Sequence, residues 1–169
     1  MLLAGVILVF LLVFCFFVLL FDAFFGGLDF ASNRKAVITV IKIIKDYNLE
    51  NGNFYDLGSA RGGFAVKIAK ALPRMNITGI DNNRLRVFLA KARSLLIKNL
   101  NFKKENIFKV NVLSANIIYI YLPQELMPDL ETKLRQELKL GAMVITNKVS
   151  FTNWPSTQKF NNLFIYVKS

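Results

Sequence analysis

From residue 32 onward the sequence alternates amphipathic helical patterns with short apolar strands, and this alternation limits the possible folds more than any other feature. Ser32 is a possible N-cap for the first helix, and a leucine at every fourth position from Leu126 to Leu138 predicts a core-facing helix that begins at Pro123 and is closed by Gly141. The predicted strands cover residues 54–57, 77–80, 107–112, 117–122 and 143–146, and a hairpin follows over 156–167. Such alternation favours an α/β fold with a Rossmann-like, mostly parallel sheet and an antiparallel last strand.

The N-terminal residues 2–21 contain no charged side chain and no proline. At about 1.5 Å per residue, a helix of this length reaches roughly 30 Å, the thickness of the hydrocarbon core of a bilayer. We therefore predict a transmembrane anchor over residues 1–21, an interfacial hinge over 22–31 and a folded domain over 32–169. A cleaved signal peptide is the alternative, but no basic segment precedes the apolar run.

The distribution of charge suggests an orientation and a partner. Arg34, Lys35, Lys42 and Lys45 follow the predicted anchor, and this bias of basic residues places the folded domain on the cytoplasmic side of the membrane. The chain carries 22 basic and 11 acidic residues, and its net charge is +11. Such a charge suits an anionic lipid surface or a nucleic acid. The bases are scattered without interleaved aromatic residues, which favours the lipid surface or simple solvation.

The absence of histidine and the presence of a single cysteine restrict the chemistry. Cys15 alone excludes an internal disulfide framework, and without histidine the usual Cys/His zinc sites and histidine-based acid–base catalysis are excluded. We predict no metal site. Any reaction must rely on a bound cofactor or on carboxylate, amide and phenol groups.

The loop after the first predicted strand is rich in small residues. Gly58 and Gly62 allow a tight turn and a close approach of the backbone to a ligand, and Ala60 is nearly as small. Asp56 precedes the loop, and Asp81 ends the next strand, where a carboxylate can bind vicinal ribose hydroxyls. A glycine-rich string by itself is a weak signal. Asp56 and the short chain favour S-adenosylmethionine over a dinucleotide, and a tight turn in an unspecialised domain is the remaining alternative.

Two motifs resemble those of a known superfamily. Asp56-Leu-Gly-Ser-Ala-Arg-Gly62 resembles the first motif of the seven-strand S-adenosylmethionine-dependent methyltransferases, and Gly79-Ile-Asp81 resembles the second. The segments Tyr121-Leu-Pro-Gln-Glu-Leu-Met127, Val144-Ile-Thr-Asn147 and Phe151-Thr-Asn-Trp154 are similar to the protein-lysine methyltransferases that include archaeal enzymes and the mitochondrial enzymes acting on the ATP synthase c subunit and the adenine nucleotide translocase. The resemblance covers roughly residues 30–169.

The resemblance implies S-adenosylmethionine as the cofactor and assigns its binding residues. They are Asp56, Gly58, Ser59, Ala60, Gly62, Asp81, Asn82 and Asn111. For the methyl acceptor, the candidates that orient an amine are Tyr121, Pro123, Gln124 and Asn147, and Trp154 is a candidate apolar wall. The sequence departs from the family at Ala60, where glycine is usual, and at Asp81, where glutamate is commoner.

The implied function is a membrane-anchored lysine methyltransferase that acts on a membrane protein or a membrane-proximal one, with the bilayer contacted through residues 2–21. An RNA methyltransferase is one alternative, although its fourth strand usually ends in an acidic residue and this one ends in Tyr-Leu-Pro-Gln. A membrane protein that binds S-adenosylmethionine without turnover is the other.

Overall fold

The structure is a computed structural model that describes residues 2–25 and 34–169 of the 169-residue chain. The helices are α1 Leu2–Phe25, α2 Arg34–Asp46, α3 Gly63–Ala71, α4 Arg84–Arg93 and α5 Met127–Glu137, and a 3-10 turn at Gln124–Leu126 leads into α5. The strands are β1 Asn53–Leu57, β2 Asn76–Asp81, β3 Leu100–Lys104, β4 Ile117–Ile120, β5 Met143–Asn147, β6 Gln158–Phe160 and β7 Leu163–Val167.

The strands of the described residues form one sheet in the order β3-β2-β1-β4-β5-β7-β6. The first five are parallel, and β7 runs antiparallel to both β5 and β6. Every residue of β4 and β5 is buried, because parallel strands in the middle of a sheet are covered on both faces. The predicted α/β fold with a mostly parallel sheet and an antiparallel last strand is confirmed.

The core has two layers, one on each face of the sheet. Ile117 and Tyr119 of β4 face the layer formed with α2, α3 and α4, whereas Ile118 and Ile120 face the layer formed with α5. The alternation follows from the two-residue period of a strand. Because β1 to β5 are parallel, their carboxyl ends meet at one edge of the sheet, between the two helical layers.

The predicted core-facing leucine series is confirmed in α5 and at its end. Leu130, Leu134 and Leu138 are fully buried against the sheet. Leu126 is half-buried in the 3-10 turn that precedes α5. The helix therefore begins a few residues after Pro123, with the turn between them.

The predicted strand over 107–112 is wrong. The third strand is Leu100–Lys104, an edge strand in which Leu100 and Phe102 are buried and the alternate residues are exposed. Val110 and Val112 are buried, but they lie in irregular backbone that packs on the α5 side of the sheet. The apolar spacing in residues 107–112 thus reflects packing of a loop. The short edge strand β3 contains three polar residues, so its strand pattern in the sequence is weaker than the apolar pattern of residues 107–112.

The N-terminal predictions are tested only in part. Helix α1 covers residues 2–21 of the predicted anchor and extends to Phe25, into the predicted hinge. Residue 1, the other hinge residues and Ser32 lie outside the described residues. Side-chain exposure in α1 is described for residues 5–17, all of which are exposed. Across the described ranges, the structure contains no helix that is long and apolar enough to cross a membrane, and the predicted transmembrane anchor is not confirmed.

Candidate active site

A cavity of about 460 Å³ opens at the carboxyl edge of the parallel strands. This volume lies in the range of roughly 300–1,000 Å³ that is typical of small-molecule sites. Its walls come from the loops after β1, β2, β3 and β4, as expected for a ligand site in an open α/β sheet. The lining residues are Gly58, Ala60, Asp81, Asn82, Arg86, Asn106, Ile107, Phe108, Tyr121, Leu122, Pro123 and Leu126.

The loop after β1 takes a sharp turn towards this cavity. Gly58 has a φ of 82°, and a Cβ atom placed on it would lie 2.4 Å from Cδ2 of Leu122. The backbone N–H groups of Gly58 and Ser59 both donate to the carbonyl oxygen of Ile80, at 2.9 and 2.8 Å. Residues other than glycine rarely adopt this φ, and a Cβ atom here would also require the tip of the Leu122 side chain to move. The loop is therefore held against the end of β2, where it forms one wall of the cavity.

Ala60 also lies in the left-handed region, with a φ of 48°. An alanine in this conformation is strained by about 1–2 kcal/mol. The structure supplies a compensating contact, because the Ala60 N–H donates to Oδ2 of Asp81 at 3.0 Å. The alanine at this position, where glycine is usual in the family it resembles, is thus accommodated without opening the turn.

Asp81 joins the two loops that flank the cavity. Its Oδ1 accepts a hydrogen bond from the N–H of Asn83 at 2.8 Å. The Asn83 side chain in turn accepts from the N–H groups of Leu85 and Arg86 and caps α4. Since each carboxylate oxygen has two lone pairs, both oxygens of Asp81 keep a free site for hydroxyl donors in the cavity.

Asp56 is buried at the end of β1, behind the glycine turn. Burial, and secondarily the negative charge of Asp81, raises the pKa of Asp56 to about 7. Asp56 Oδ2 and Ser59 Oγ are buried without a hydrogen-bond partner within the described part of the chain. Buried polar atoms are usually paired, so these two atoms are candidates to bind a polar ligand group. Of the three residues, Asp81 lines the cavity and fits the hydroxyl groups of S-adenosylmethionine, whereas Asp56 and Ser59 lie behind its wall.

A second cavity of about 250 Å³ adjoins the first, and Tyr121 lines both. Its walls come from α2, the end of β5 and the β6–β7 turn, and include Asn147 and Lys148. The Asn147 side chain donates from Nδ2 to the hydroxyl of Tyr119 at 2.9 Å, in a buried position. The ammonium nitrogen of Lys148 lies 5.3 Å from the centre of the Tyr121 ring. The Tyr121 ring therefore already contacts an ammonium group, in the geometry of a cation–π interaction.

The structure thus brings several predicted site residues together and separates others. Asp81, Asn82 and Pro123 line the first cavity beside the glycine turn, and Asn147 lines the second. Asp56, Ser59, Gly62, Gln124 and Asn111 line neither cavity. The Asn111 side chain accepts from the N–H of Leu113 in a local turn. The proposed roles of these residues remain predictions.

Trp154 lies on the α5 side of the sheet. Its ring stacks on Phe151 at a centroid distance of 5.7 Å, and Tyr166 lies 5.5 Å away. Trp154 lines neither of the two cavities. Its contacts are those of a packing residue, and its role as a wall for the acceptor remains a prediction.

Sequence reasoning missed the part of the first cavity that follows β3. Asn106, Ile107 and Phe108 line the cavity, and the Asn106 side chain holds the turn by accepting from the N–H of Phe108 at 2.9 Å. The predicted strand over residues 107–112 contains Ile107 and Phe108 and begins just after Asn106. It therefore does not predict that these residues line a cavity. The usable signal was the position of an Asn after a strand, in line with Asn82 after β2.

Comparison with known protein families and sequences finds methyltransferases. The profile of the ANTKMT methyltransferase domain matches residues 56–158. A protein-lysine N-methyltransferase from Saccharolobus islandicus is 27% identical over 103 residues, covering 59% of this chain and 64% of the relative. A release factor glutamine methyltransferase from Fusobacterium nucleatum is 31% identical over 94 residues, covering 49% of this chain and 27% of the relative. The matched part of the chain spans less than two thirds of either relative.

The fold is also shared with a solved structure. The RNA methyltransferase of Salinibacter ruber, solved in complex with S-adenosyl-L-homocysteine, superposes with a TM-score of 0.70 at 17% sequence identity. The match covers 82% of this chain and 92% of that chain. At this identity the likeness establishes the fold alone.

Proposed function

The chain belongs to the ANTKMT methyltransferase domain family, an S-adenosylmethionine-dependent group with the class I fold, and from this premise we propose that the protein methylates lysine side chains. The acceptor that we propose is a membrane protein or one close to the membrane surface. The choice of lysine rests on the Tyr121 ring, which lines both cavities. The Nζ atom of Lys148 lies over this ring, 5.3 Å from its centre. A ring that binds a cation at this junction is suited to a lysine acceptor.

The first cavity would hold the cofactor. Asp81 would accept hydrogen bonds from the ribose hydroxyls. Asp56 and Ser59 lie behind the glycine turn, and their unpartnered oxygen atoms would bind polar groups of the methionine portion only if the turn moved. Ile107 and Phe108 supply apolar surface for the adenine ring. Bound in this way, the cofactor supplies a methyl group on a positively charged sulfur.

The second cavity would admit the acceptor side chain. Methyl transfer to an amine needs a neutral nitrogen lone pair, aligned with the methyl carbon and shielded from water. The lysine enters as an ammonium ion, contacts the Tyr121 ring and loses a proton to water. Held by the residues of the first cavity, the cofactor would supply its methyl group to this nitrogen and would keep the electron pair of the carbon–sulfur bond. Tyr121 orients the amine in this scheme, and Asn147 lines the same cavity.

Methyl transfer from tritiated S-adenosylmethionine tests this function. The full chain is incubated with membranes and with soluble extract, and labelled material is separated into protein and RNA. We expect label in membrane protein, recovered as methyl-lysine after acid hydrolysis. Label in RNA would contradict the proposal, and so would cofactor binding without transfer to any acceptor. Asp81→Ala is the variant expected to lose cofactor binding.

Two substitutions at Tyr121 test the cation-binding role. Tyr121→Phe keeps the aromatic ring and is expected to keep the KM for the acceptor within about two-fold, whereas Tyr121→Leu removes an interaction of about 1 kcal/mol and is expected to raise KM roughly five-fold. The measurement is initial rate against acceptor concentration. Equal KM values for the two variants would contradict the role of the ring, and a loss of rate in both would indicate that the hydroxyl is required instead.

Attachment of the protein to a membrane through residues 2–21, with the folded domain on the cytoplasmic side, is part of the proposal. It is supported by the uncharged sequence and by the exposed apolar side chains that α1 presents between Val6 and Phe17. Removal of residues 1–31 is expected to move the protein from a carbonate-washed membrane pellet to the supernatant. A full-length chain that is extracted by carbonate would contradict membrane attachment.

A further inference from the structure

The outer edge of the sheet beyond the cofactor cavity has an unusual charge. This β3-edge surface, defined as residues 84–104, contains α4, the loop that follows it and the edge strand β3. It carries no acidic residue. Its basic residues are Arg84, Arg86, Lys91, Arg93, Lys98, Lys103 and Lys104, all exposed except Arg86, which is half-buried.

The same surface exposes large apolar side chains. Phe88 is 66% exposed, Leu95 82% and Leu96 96%. They are not left over from an incomplete core, because Val87 and Ala90 already bury the inner side of α4. Phe88 lies on α4, and Leu95 and Leu96 lie in the loop directly after it. Large apolar side chains exposed to this extent in one segment are typical of an interaction site.

We infer that the β3-edge surface binds anionic lipid, with Phe88, Leu95 and Leu96 entering the interfacial region of the membrane and the basic residues of α4 and of the loop after it contacting lipid head groups. This combination of exposed apolar residues with basic residues is typical of proteins that lie on membranes. The inference does not require residues 2–21 to span the bilayer. It adds a lipid contact made by the folded domain itself.

The apolar residues decide between lipid and nucleic acid. Nucleobases of single-stranded nucleic acid bind to aromatic rings and guanidinium groups, which Phe88 and the arginines of this surface provide. Leu95 and Leu96, its most exposed apolar side chains, provide neither. Contacts with nucleic-acid phosphates alone would leave both leucines in water. An anionic lipid surface, in contrast, binds the leucines and the basic side chains together. The β3-edge surface also includes Arg86, which lines the cofactor cavity, so lipid contact would hold the cavity close to the membrane.

A fluorescent probe at position 96 tests the contact in the full-length protein. Cys15→Ala removes the native thiol, and Leu96→Cys is labelled with an environment-sensitive dye. The matched control is Leu140→Cys, an exposed leucine between α5 and β5 that is outside the β3-edge surface. Both proteins are mixed with vesicles of phosphatidylcholine alone and with vesicles that also contain phosphatidylglycerol.

We expect the dye at position 96 to brighten at least two-fold in vesicles that contain phosphatidylglycerol, to respond less at high salt and to respond little in phosphatidylcholine alone. The dye at position 140 should not change. Charge reversal by Lys91→Glu with Lys98→Glu should abolish the response at position 96. Equal responses at positions 96 and 140, or a response at position 96 to an RNA oligonucleotide and not to lipid, would overturn the inference. Methyl transfer is not read in this experiment, so its result is independent of the proposed activity.

Discussion

At the scale of single residues, Asp56 couples the site to pH. Its carboxyl group is buried at the end of β1, and its pKa is raised from 3.8 to about 7 by burial and by the charge of Asp81. Between these two values the folded state keeps a proton that the unfolded state has already released. This group therefore stabilises the fold fully below pH 4, and its contribution falls as the pH rises towards 7, by at most about 1.4 kcal/mol per pH unit.

Asp56→Asn should remove this dependence. We expect the difference in melting temperature between the native protein and the variant to shift in favour of the variant from pH 5 to pH 8, since asparagine does not titrate. Thermal unfolding followed by circular dichroism across this pH range measures the effect. A difference that is constant with pH would show that Asp56 does not titrate with a raised pKa.

At the scale of elements, α5 fastens the loop that carries Trp154. The buried carboxylate of Glu131 accepts hydrogen bonds from the N–H groups of Thr152, at 2.9 Å, and Asn153, at 3.0 Å. Arg135, one turn further along α5, donates to the carbonyl oxygen of Asn153 at 3.1 Å. One face of α5 thus binds both N–H groups and a carbonyl oxygen of the loop backbone. These bonds hold the loop in which Trp154 stacks on Phe151.

Glu131→Ala is expected to lower the free energy of unfolding by about 1–3 kcal/mol, because two N–H groups of the loop lose the charged acceptor that holds them. Trp154 is the single tryptophan of the chain and reports on the loop directly. Its fluorescence emission should shift to longer wavelength as the loop opens to water. Gln136→Ala, an exposed position on the same helix, is the control, and a similar loss of stability in this control would refute the role of Glu131.

At the scale of the whole molecule, both layers of the core are built from residues between Ala36 and Tyr166. Among the described residues, neither layer includes a side chain of α1. The fragment 34–169 is therefore expected to unfold cooperatively, with a free energy within about 1 kcal/mol of that of the full chain. Urea unfolding of the fragment and of the full-length protein measures this difference. A fragment without a cooperative transition would show that the N-terminal residues contribute to the fold.

Much of the fold and of the cofactor side was predictable because the signals are local. Apolar runs such as Ile117–Ile120 predict buried parallel strands. Gly58, followed by Ala60 and Gly62, predicts a tight turn directly after β1. Asp81 was predictable in the same way, since the end of β2 must lie beside that turn in a parallel sheet. The resemblance to methyltransferases rested on these same residues.

The chain order of local patterns determined the α/β class, the parallel sheet and the glycine turn at the edge of the sheet, because each of these depends on a few neighbouring residues. Tertiary structure alone decided that β3 lies at Leu100–Lys104, that Asn106–Phe108 enter the cavity, and that Trp154 packs away from both cavities. It also decided that Tyr121 contacts Lys148 across the end of the sheet. These outcomes depend on which distant segments compete for the same surface, and the spacing of residues along the chain carries no record of that competition.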